Sequence, residues 1–316
     1  MDIITLRAGD CGLQLAPEAG GMVTRYWLER DARTWEWLRP ASDLALSRRD
    51  GYEASAFPLV PYSNRIRAGR FRFGDRDVTL SLNRPPERHS IHGQGWQVAW
   101  TASDVSANTA QLEFHHAADA WPWAYRATQR FALSPTNLTI ELALHNDSDA
   151  PAPAGLGWHP YFLRTPRTTL TAPVTGIWLT DAEMMPTELA QPPVSADVSR
   201  GVMIDAVALD NCFTGWNRRT VIDWPELGAR LVMTAEPPLD FLTVFIPPSL
   251  SLLLRRAGQS RDRRAQSRRP PGGGRPAAAR AGRDDADEHH AHAPAHRLSS
   301  LIDASGHQRP ATWEAT

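Results

Sequence analysis

The sequence predicts an all-β protein, an antiparallel sandwich or barrel, over most of its 316 residues. In many short segments apolar residues alternate with polar ones, or β-branched and aromatic residues cluster. Turn sequences such as Ser134-Pro135 and Pro237-Pro238 separate these segments, typically about ten residues apart, which is the spacing of antiparallel sandwiches. Helical periodicity is nearly absent and no βαβ alternation occurs, so doubly wound sheets and eight-fold α/β barrels are disfavoured.

Eight segments carry the strand pattern in chain order. NLTIELALHN is the clearest, because its apolar residues fall at every second position and therefore share one face of a strand. The predicted strands are 71–82, 97–103, 111–116, 125–133, 137–146, 176–180, 229–235 and 241–246.

Composition excludes several classes of protein. With 42% hydrophobic and 22% charged residues and a formal net charge of -1, the chain is neither collagen-like nor disordered throughout, and it has no overall attraction for nucleic acid or anionic lipid. All 34 Lys+Arg residues are arginine, which excludes a lysine Schiff base. Cys11 and Cys212 are too few for a disulfide framework, and neither a secretion signal nor an apolar stretch long enough to span a membrane is present. We therefore expect a cytoplasmic protein.

The composition changes abruptly near residue 250. From Pro247 to Leu301 there is no Phe, Trp, Tyr, Val, Ile or Thr, and Arg, Ala, Gly, Pro and His dominate. Such a segment cannot bury enough apolar surface to offset its chain entropy. The sequence thus predicts a β-sandwich domain over 1–250 and a disordered, low-complexity tail rich in Arg, Ala, Pro and His over 251–316.

The first candidate site segment is PLVPYSNRIRAGRF, residues 58–71. If the segment is extended, Arg65 and Arg67 share one face and Ile66 takes the other. The two arginines are either a solvated pair on a strand edge or guanidinium groups that bind sugar hydroxyls beside a cleft.

Two histidine segments follow. In RHSIHGQGW, His89 and His92 have a spacing that metal ligands use, but no third ligand follows at short range, and the glycines instead favour an imidazole held at a loop edge beside an aromatic wall. In GLGWHPYF, Trp158, Tyr161 and Phe162 are expected to crowd around His159. That histidine is either a core residue or a general acid with a pKa near the working pH.

Taken together, these segments resemble the aldose 1-epimerase family, the galactose mutarotases and their relatives. SNRI, HG and HPYF match the family pattern in order and spacing, LDNCFTGW (209–216) extends the match, and the resemblance covers roughly residues 1–250. It implies a galactose mutarotase-like antiparallel β-supersandwich in one domain. It also implies interconversion of the α and β anomers of a free aldose, a small monosaccharide, without metal or cofactor.

The resemblance also implies roles for particular residues. His159 would protonate the ring oxygen and His92 would assist at the same atom by hydrogen bonding. Arg65, supported by Asn64, and Asp210 would bind sugar hydroxyls. By itself Asp210 has only the character of a turn aspartate before Asn211, so its role rests mainly on the resemblance.

The family's general base has no counterpart in this translation. In the family this base is a glutamate in a Glu-Pro segment after the strand that here is FLTVFIPP; Glu226 and Glu236 come too early, and Glu288 and Glu314 lie in the tail, which has no strand character. Residues 254–260, LRRAGQS, can be encoded by codons that, when they are translated one nucleotide later, give Cys-Val-Glu-Pro-Val-Ser. Two later segments can also be encoded so that the same shifted reading frame gives sequence typical of the family. We therefore predict a one-nucleotide frameshift between about Pro247 and Leu254.

Three alternatives remain open at this point. In the first alternative, no frameshift has occurred and the tail is a genuine Arg-rich segment that binds an acidic partner. The chain is a non-catalytic carbohydrate-binding β-sandwich that keeps Arg65, Asp210 and the aromatic wall. Most distantly, it is a metal-dependent hydrolase that uses His89, His92 and His159. The preferred aldose, its phosphorylation and the oligomeric state do not follow from the sequence.

Overall fold

The computed structural model describes residues 2–247 and the backbone of residues 311–315. These residues form mostly strands, with the single helix α1 at Asp43–Arg48 and several short 3₁₀ turns. The strands are β1 Ile4–Ala8, β2 Cys11–Ala16, β3 Met22–Arg30, β4 Arg33–Glu36, β5 Ala56–Leu59, β6 Arg65–Ile66, β7 Arg70–Phe73, β8 Arg76–Thr79, β9 Ser90–Ile91, β10 Thr101–Ser103, β11 Thr109–His116, β12 Tyr125–Leu133, β13 Asn137–Asn146, β14 Gly157–Pro160, β15 Thr169–Thr171, β16 Gly176–Thr180, β17 Pro186–Ala190, β18 Val202–Met203, β19 Leu209–Thr214, β20 Arg219–Trp224, β21 Ala229–Thr234, β22 Leu242–Ile246 and β23 Ala311–Ala315.

Two large antiparallel sheets build the main core. One has the order β1-β2-β3-β5-β14, with β4 also paired to β3, and the other has the order β10-β11-β12-β13-β23-β21-β20-β15-β18. Side chains of both sheets, such as Leu13 and Tyr26 from the first and Phe131 and Ile140 from the second, share one buried cluster. The predicted all-β sandwich architecture is therefore present, since two sheets that bury their facing sides together form a sandwich.

Three smaller sheets complete the described fold. A four-stranded sheet, β17-β16-β19-β22, has its own buried cluster, which includes Phe213 and Val244. The β6-β9 and β7-β8 ribbons have two strands each. The β6-β9 ribbon contains the candidate site residue Arg65 and ends immediately before the candidate His92.

Alternation along β5 gives the first sheet a second buried face. Ala56 lies in the main core, whereas Phe57 and Leu59 lie in a separate cluster with Trp96 on the opposite face. The sheet is thus covered on both sides, and the candidate site forms on the side of Phe57.

The predicted strands agree closely with the observed ones where the alternation is long. Segments 125–133, 137–146 and 176–180 match β12, β13 and β16 end to end. Segment 71–82 instead forms the hairpin β7-β8, because Gly74 adopts a left-handed φ of 58° at its centre. Segment 97–103 contains only the short strand β10, preceded by a 3₁₀ turn at Gly95–Gln97.

The tail prediction is wrong at its end. Residues Ala311–Ala315, which include Glu314, form β23 between β13 and β21. β13 and β21 lie on either side of a gap in the sheet, and β23 fills this gap by pairing with both of them. Thr and Trp also have a high strand propensity, which favours a strand at this position. The rest of the predicted tail, with Glu288 and the proposed frameshift, lies outside the described residues. No helix in the described part of the chain is long and apolar enough to cross a membrane.

Candidate active site

His159 lies in a wall of aromatic rings. In the register of β14 and β5 it is directly opposite Phe57, and the two rings stack at a centroid distance of 4.8 Å with 13° between their planes. Tyr161 and Tyr52 add further rings at 4.6 Å and 6.1 Å from the imidazole. The expectation that rings surround His159 therefore holds, but most of these rings are not the ones the sequence indicated.

Alternation along β14 explains the difference. Trp158 faces the main core, where its ring meets Phe131 edge-on at 5.9 Å, and Phe162 also packs against that core. The prediction that Trp158 and Phe162 crowd around His159 is wrong. Trp158 points to the opposite face because successive side chains of a strand alternate, and Phe162 lies beyond the end of β14 and packs against the main core. Of the three predicted rings only that of Tyr161 lies beside His159.

His92 is the second imidazole of the site. Its ring centroid lies 5.6 Å from that of His159, and the two planes are nearly perpendicular. The backbone N–H of Asn64 donates to Nδ1 of His92 at 3.0 Å, and the backbone N–H of His92 donates to the carbonyl of Asn64 at 3.0 Å. A nitrogen that accepts carries no hydrogen, so the neutral ring holds its proton on Nε2. His92 thus offers an N–H donor to a ligand oxygen.

The backbone around this imidazole uses left-handed conformations. Asn64, His92 and Gly93 have φ values of 67°, 62° and 64°. The side-chain oxygen of Asn64 accepts the backbone N–H of Arg65 at 2.8 Å, a local hydrogen bond of the kind that favours asparagine in this region. At Gly93 a Cβ would lie 2.2 Å from the carbonyl oxygen of Val60, so the close approach requires glycine.

Burial keeps both imidazoles neutral. It lowers the pKa of His159 to about 4, and the charge of Arg39 acts in the same direction. Burial also lowers the pKa of His92 well below its usual value, with added repulsion from His159 and Arg65. The charged form of a histidine loses hydration in such surroundings, so both rings are uncharged at neutral pH.

Arg65 lies between two carboxylates. Its Nε donates to Oε2 of Glu87 at 3.1 Å, and its Nη2 donates to Oδ2 of Asp210 at 3.4 Å. Only 15% of the arginine side chain is exposed. This places the predicted binding residues Arg65 and Asp210 in direct contact and adds Glu87, which the sequence analysis did not identify.

Arg67 does not share this environment. The segment is extended only over β6, and Arg67 begins a 3₁₀ turn at Arg67–Gly69. Its side chain is 57% exposed and forms an ion pair with Asp181 at 3.4 Å. The expectation that Arg65 and Arg67 lie on one face is therefore wrong, because the strand ends between them.

Asp210 lies inside a strand. It is the second residue of β19, and its cross-strand partner on β22 is Phe245. The interpretation of Asp210 as a turn aspartate is therefore wrong. A strand position fixes the carboxylate beside Arg65, which a turn would hold less firmly.

His89 has contacts of its own. It is buried, its Nδ1 accepts the backbone N–H of Ala68 at 3.1 Å, and its Nε2 lies 3.5 Å from Oε2 of Glu183. These contacts do not join it to the pair of His92 and His159. His89 instead ties the segment before β9 to the loop between β16 and β17.

Four further residues reach the candidate site through the tertiary fold. Tyr52 and Phe57 are brought beside His159 by a turn and by sheet register, for which no local sequence signal exists. Glu87 and Arg84 flank the two prolines of an R-P-P-E turn, and charged residues at both ends of a rigid turn are the only hint in the sequence.

Comparisons with known proteins identify the family and the fold of this chain. A model of the aldose 1-epimerase family matches residues 2–311. The uncharacterized protein YphB of Escherichia coli K12 is 31% identical over 247 residues, which cover 78% of this chain and 81% of YphB. YihR of the same organism is 30% identical over 106 residues, 33% of this chain and 34% of YihR.

Solved structures show the same fold. A crystal structure from Escherichia coli K12, described as a candidate aldose 1-epimerase, has a TM-score of 0.71 at 30% identity and covers 78% of this chain and 81% of its own. A galactose mutarotase-like protein of Clostridium acetobutylicum has a TM-score of 0.67 at 19% identity, with 77% and 80% covered. The latter similarity concerns the fold alone. The predicted galactose mutarotase-like fold is thereby confirmed.

Proposed function

The chain belongs to the aldose 1-epimerase family, and from that membership we propose that it interconverts the α and β anomers of a free aldose by acid–base ring opening. The family is one of isomerases that act on free sugars. The observation that carries the proposal for this chain is the pair of neutral imidazoles, His92 and His159, 5.6 Å apart beside the ion pair of Arg65 and Asp210. Proton carriers and hydroxyl-binding groups are thereby collected on one face of the fold.

The reaction moves one proton between two sugar oxygens. A base takes the proton of the anomeric hydroxyl, the bond between C1 and the ring oxygen breaks as the C1 carbonyl forms, and an acid protonates the ring oxygen. Rotation about the bond from C1 to C2 and the reverse steps give the other anomer. We assign the acid role to His159 and a supporting N–H donor to Nε2 of His92. Arg65 and Asp210 bind sugar hydroxyls. Asn64 supports Arg65 because its side-chain oxygen accepts the backbone N–H of Arg65.

The acid role requires that His159 gain a proton in the sugar complex. Because burial lowers its pKa to about 4, a nearby negative charge is needed to favour the imidazolium. Among the described residues no carboxylate forms an ion pair with His92 or His159, whereas four other histidines have such partners. This supports the proposal that the catalytic base is missing from the translated chain through a frameshift after β22.

The register of β19 and β22 fits that proposal. Leu209 is paired with Ile246, so the chain leaves β22 beside Asp210. A glutamate encoded shortly after this strand would follow a chain end that lies beside Asp210, which itself contacts Arg65. Restoration of the frame would therefore supply the carboxylate next to the groups that it must act with.

The test measures anomer exchange and sugar binding separately. Polarimetry with freshly dissolved galactose or glucose follows exchange, and isothermal titration calorimetry follows binding. Exchange well above the uncatalysed rate in the frame-restored chain, abolished by His159→Asn, supports the proposal. Exchange that stays at the uncatalysed rate in the frame-restored chain contradicts it.

A non-catalytic carbohydrate-binding β-sandwich is the second candidate. The absence of a carboxylate partner for His159 within the described residues favours it for the chain as translated. Sugar binding without accelerated exchange, in both the translated and the restored chain, would establish this alternative. The metal-dependent hydrolase is disfavoured because the Nδ1 atoms of His89 and His92 each accept a backbone N–H, and because His89 contacts Glu183 instead of the histidine pair.

A further inference from the structure

A turn at the rim of the site contacts two of its residues. The backbone N–H of Glu87 donates to the carbonyl of Arg84 at 2.8 Å, which closes the R-P-P-E segment into a turn. At one end the guanidinium of Arg84 lies 3.4 Å from the ring centroid of Tyr52. At the other end Glu87 accepts from Nε of Arg65. The turn therefore joins the aromatic wall to the arginine that is proposed to bind sugar.

The contact with Glu87 fixes the orientation of Arg65. A guanidinium is planar, and its Nε–H lies in the same plane as the four N–H groups of the two Nη atoms. A hydrogen bond at Nε therefore sets the direction of all the others. The hydrogen bond from Nε to Glu87, at 3.1 Å, is shorter than the hydrogen bond from Nη2 to Asp210, at 3.4 Å. Because the shorter bond uses Nε, it leaves the Nη groups of Arg65 available to a ligand.

Burial makes this contact more than a surface ion pair. The side chains of Arg65 and Glu87 are 15% and 21% exposed. Exposed ion pairs contribute little to stability, because water and mobile ions screen them, whereas removal of one partner from a mostly buried pair leaves the other charge without compensation. Glu87 is therefore a second, mostly buried counter-charge of Arg65 besides Asp210.

We propose that Glu87 is a positioning residue that holds the guanidinium plane of Arg65 so that its Nη groups face the sugar. The proposal rests on the proposed function for the identity of the ligand. Glu87 itself touches Arg65 and not the reacting atoms. Its loss should therefore weaken sugar binding through Arg65, while His159 and His92 keep their positions.

The experiment compares Glu87→Ala and Glu87→Gln with the matched control Glu36→Gln in the full chain. Glu36 is 19% exposed and pairs with Arg25 on the first sheet, so it matches Glu87 in burial and partner type. One readout is the rate of hydrogen exchange of the Arg65 Nε–H, measured by ¹⁵N NMR and assigned by its disappearance in Arg65→Lys. The other readout is the dissociation constant for galactose or glucose.

We expect fast exchange of the Arg65 Nε–H in Glu87→Ala and intermediate exchange in Glu87→Gln, which keeps an acceptor oxygen. The dissociation constant should rise roughly tenfold in Glu87→Ala, the scale of one charge-assisted hydrogen bond, and less in Glu87→Gln. Glu36→Gln should change neither quantity by more than about twofold, the scale of a contact that does not touch the sugar.

Two results would overturn the proposal. One is an Arg65 Nε–H that exchanges as slowly in Glu87→Ala as in the unchanged chain, whether or not sugar binds. The other is normal sugar affinity in a Glu87→Ala chain whose Arg65 Nε–H has become mobile. If the unchanged chain and the frame-restored chain bind no aldose, the proposed function fails, and the exchange rate still decides whether Glu87 positions Arg65.

Discussion

His159 stands directly opposite Phe57 on the adjacent antiparallel strand, and their rings stack at 4.8 Å. This pair fixes the imidazole against a flat apolar surface. Burial of the ring, to which this surface contributes, lowers its pKa to about 4. The cross-strand contact with Phe57 therefore places the proposed acid in the buried surroundings that lower its pKa.

Replacement of His159 by Asn in the frame-restored chain should lower kcat about a hundredfold or more, with a smaller change in KM. This is the scale of a positioned general acid. Polarimetric mutarotation measures both constants. His145→Asn, a change at an exposed histidine on β13, serves as the control and should leave them unchanged. A normal kcat in the His159→Asn protein would remove the assignment.

Stability should fall as the pH drops from about 6.5 toward 4. The pKa of His159 is about 4 in the folded chain, whereas an unfolded histidine has a pKa of about 6.5. Between these values the unfolded chain binds more protons, so the contribution is fully present above pH 6.5 and is lost as the pH falls. His92 acts in the same direction. Urea unfolding should show that the free energy of unfolding is lower at pH 5 than at pH 7, with about 1–2 kcal/mol of the decrease due to His159. The decrease should be smaller in the His159→Asn protein. An equal loss in both proteins would show that His159 does not titrate in this way.

Arg65→Ala should weaken sugar binding by roughly ten- to a hundredfold, whereas Arg67→Ala should change it by less than about threefold. Arg65 is mostly buried and in contact with Asp210, and Arg67 is exposed and paired with Asp181. Calorimetric titration with galactose or glucose measures both. Equal losses would mean that the wrong arginine has been placed at the sugar.

Gly93→Ala should destabilise the fold far more than Gly74→Ala. Both glycines have φ near 60°, so each alanine carries a left-handed strain of about 1–2 kcal/mol. Only at Gly93 does the new Cβ meet an obstacle, the carbonyl oxygen of Val60 at 2.2 Å, while at Gly74 nothing lies within 4 Å. Thermal melts of the two variants provide the comparison, and similar melting temperatures would contradict the close approach that holds the loop after His92.

Restoration of the reading frame just before Leu254 should produce mutarotase activity and a more cooperative melt in one step. The described part of β22 exposes Phe245 and is an edge of its sheet, and a strand encoded after it would cover that edge. The translated chain should turn over near the uncatalysed rate and be weakly stable. Circular dichroism melts and polarimetry of the two chains provide the test. If the translated chain melts as cooperatively as the restored chain and both exchange anomers well above the uncatalysed rate, no frameshift has occurred and the base is a carboxylate already present.

Long strands could be predicted from the sequence where the alternation of apolar and polar residues was the only signal needed. β12 and β13 are long and have one face in the core, so apolar residues at every second position marked them from end to end. β23 escaped prediction, because its pairing depends on a gap between β13 and β21 that no local pattern reveals.

The sequence by itself determined the fold class, and it singled out His92, His159 and Arg65 as candidate site residues because they stand in short motifs, whereas Asp210 was a candidate mainly through the family resemblance. Only the tertiary structure decided what surrounds them. The register of β5 and β14 places Phe57, and not Trp158, beside His159. Because β6 ends at Ile66, Arg67 lies outside the strand that contains Arg65. Glu87 reaches Arg65 across 22 residues of sequence. Contacts between distant segments depend on packing and register, and local sequence carries no record of either.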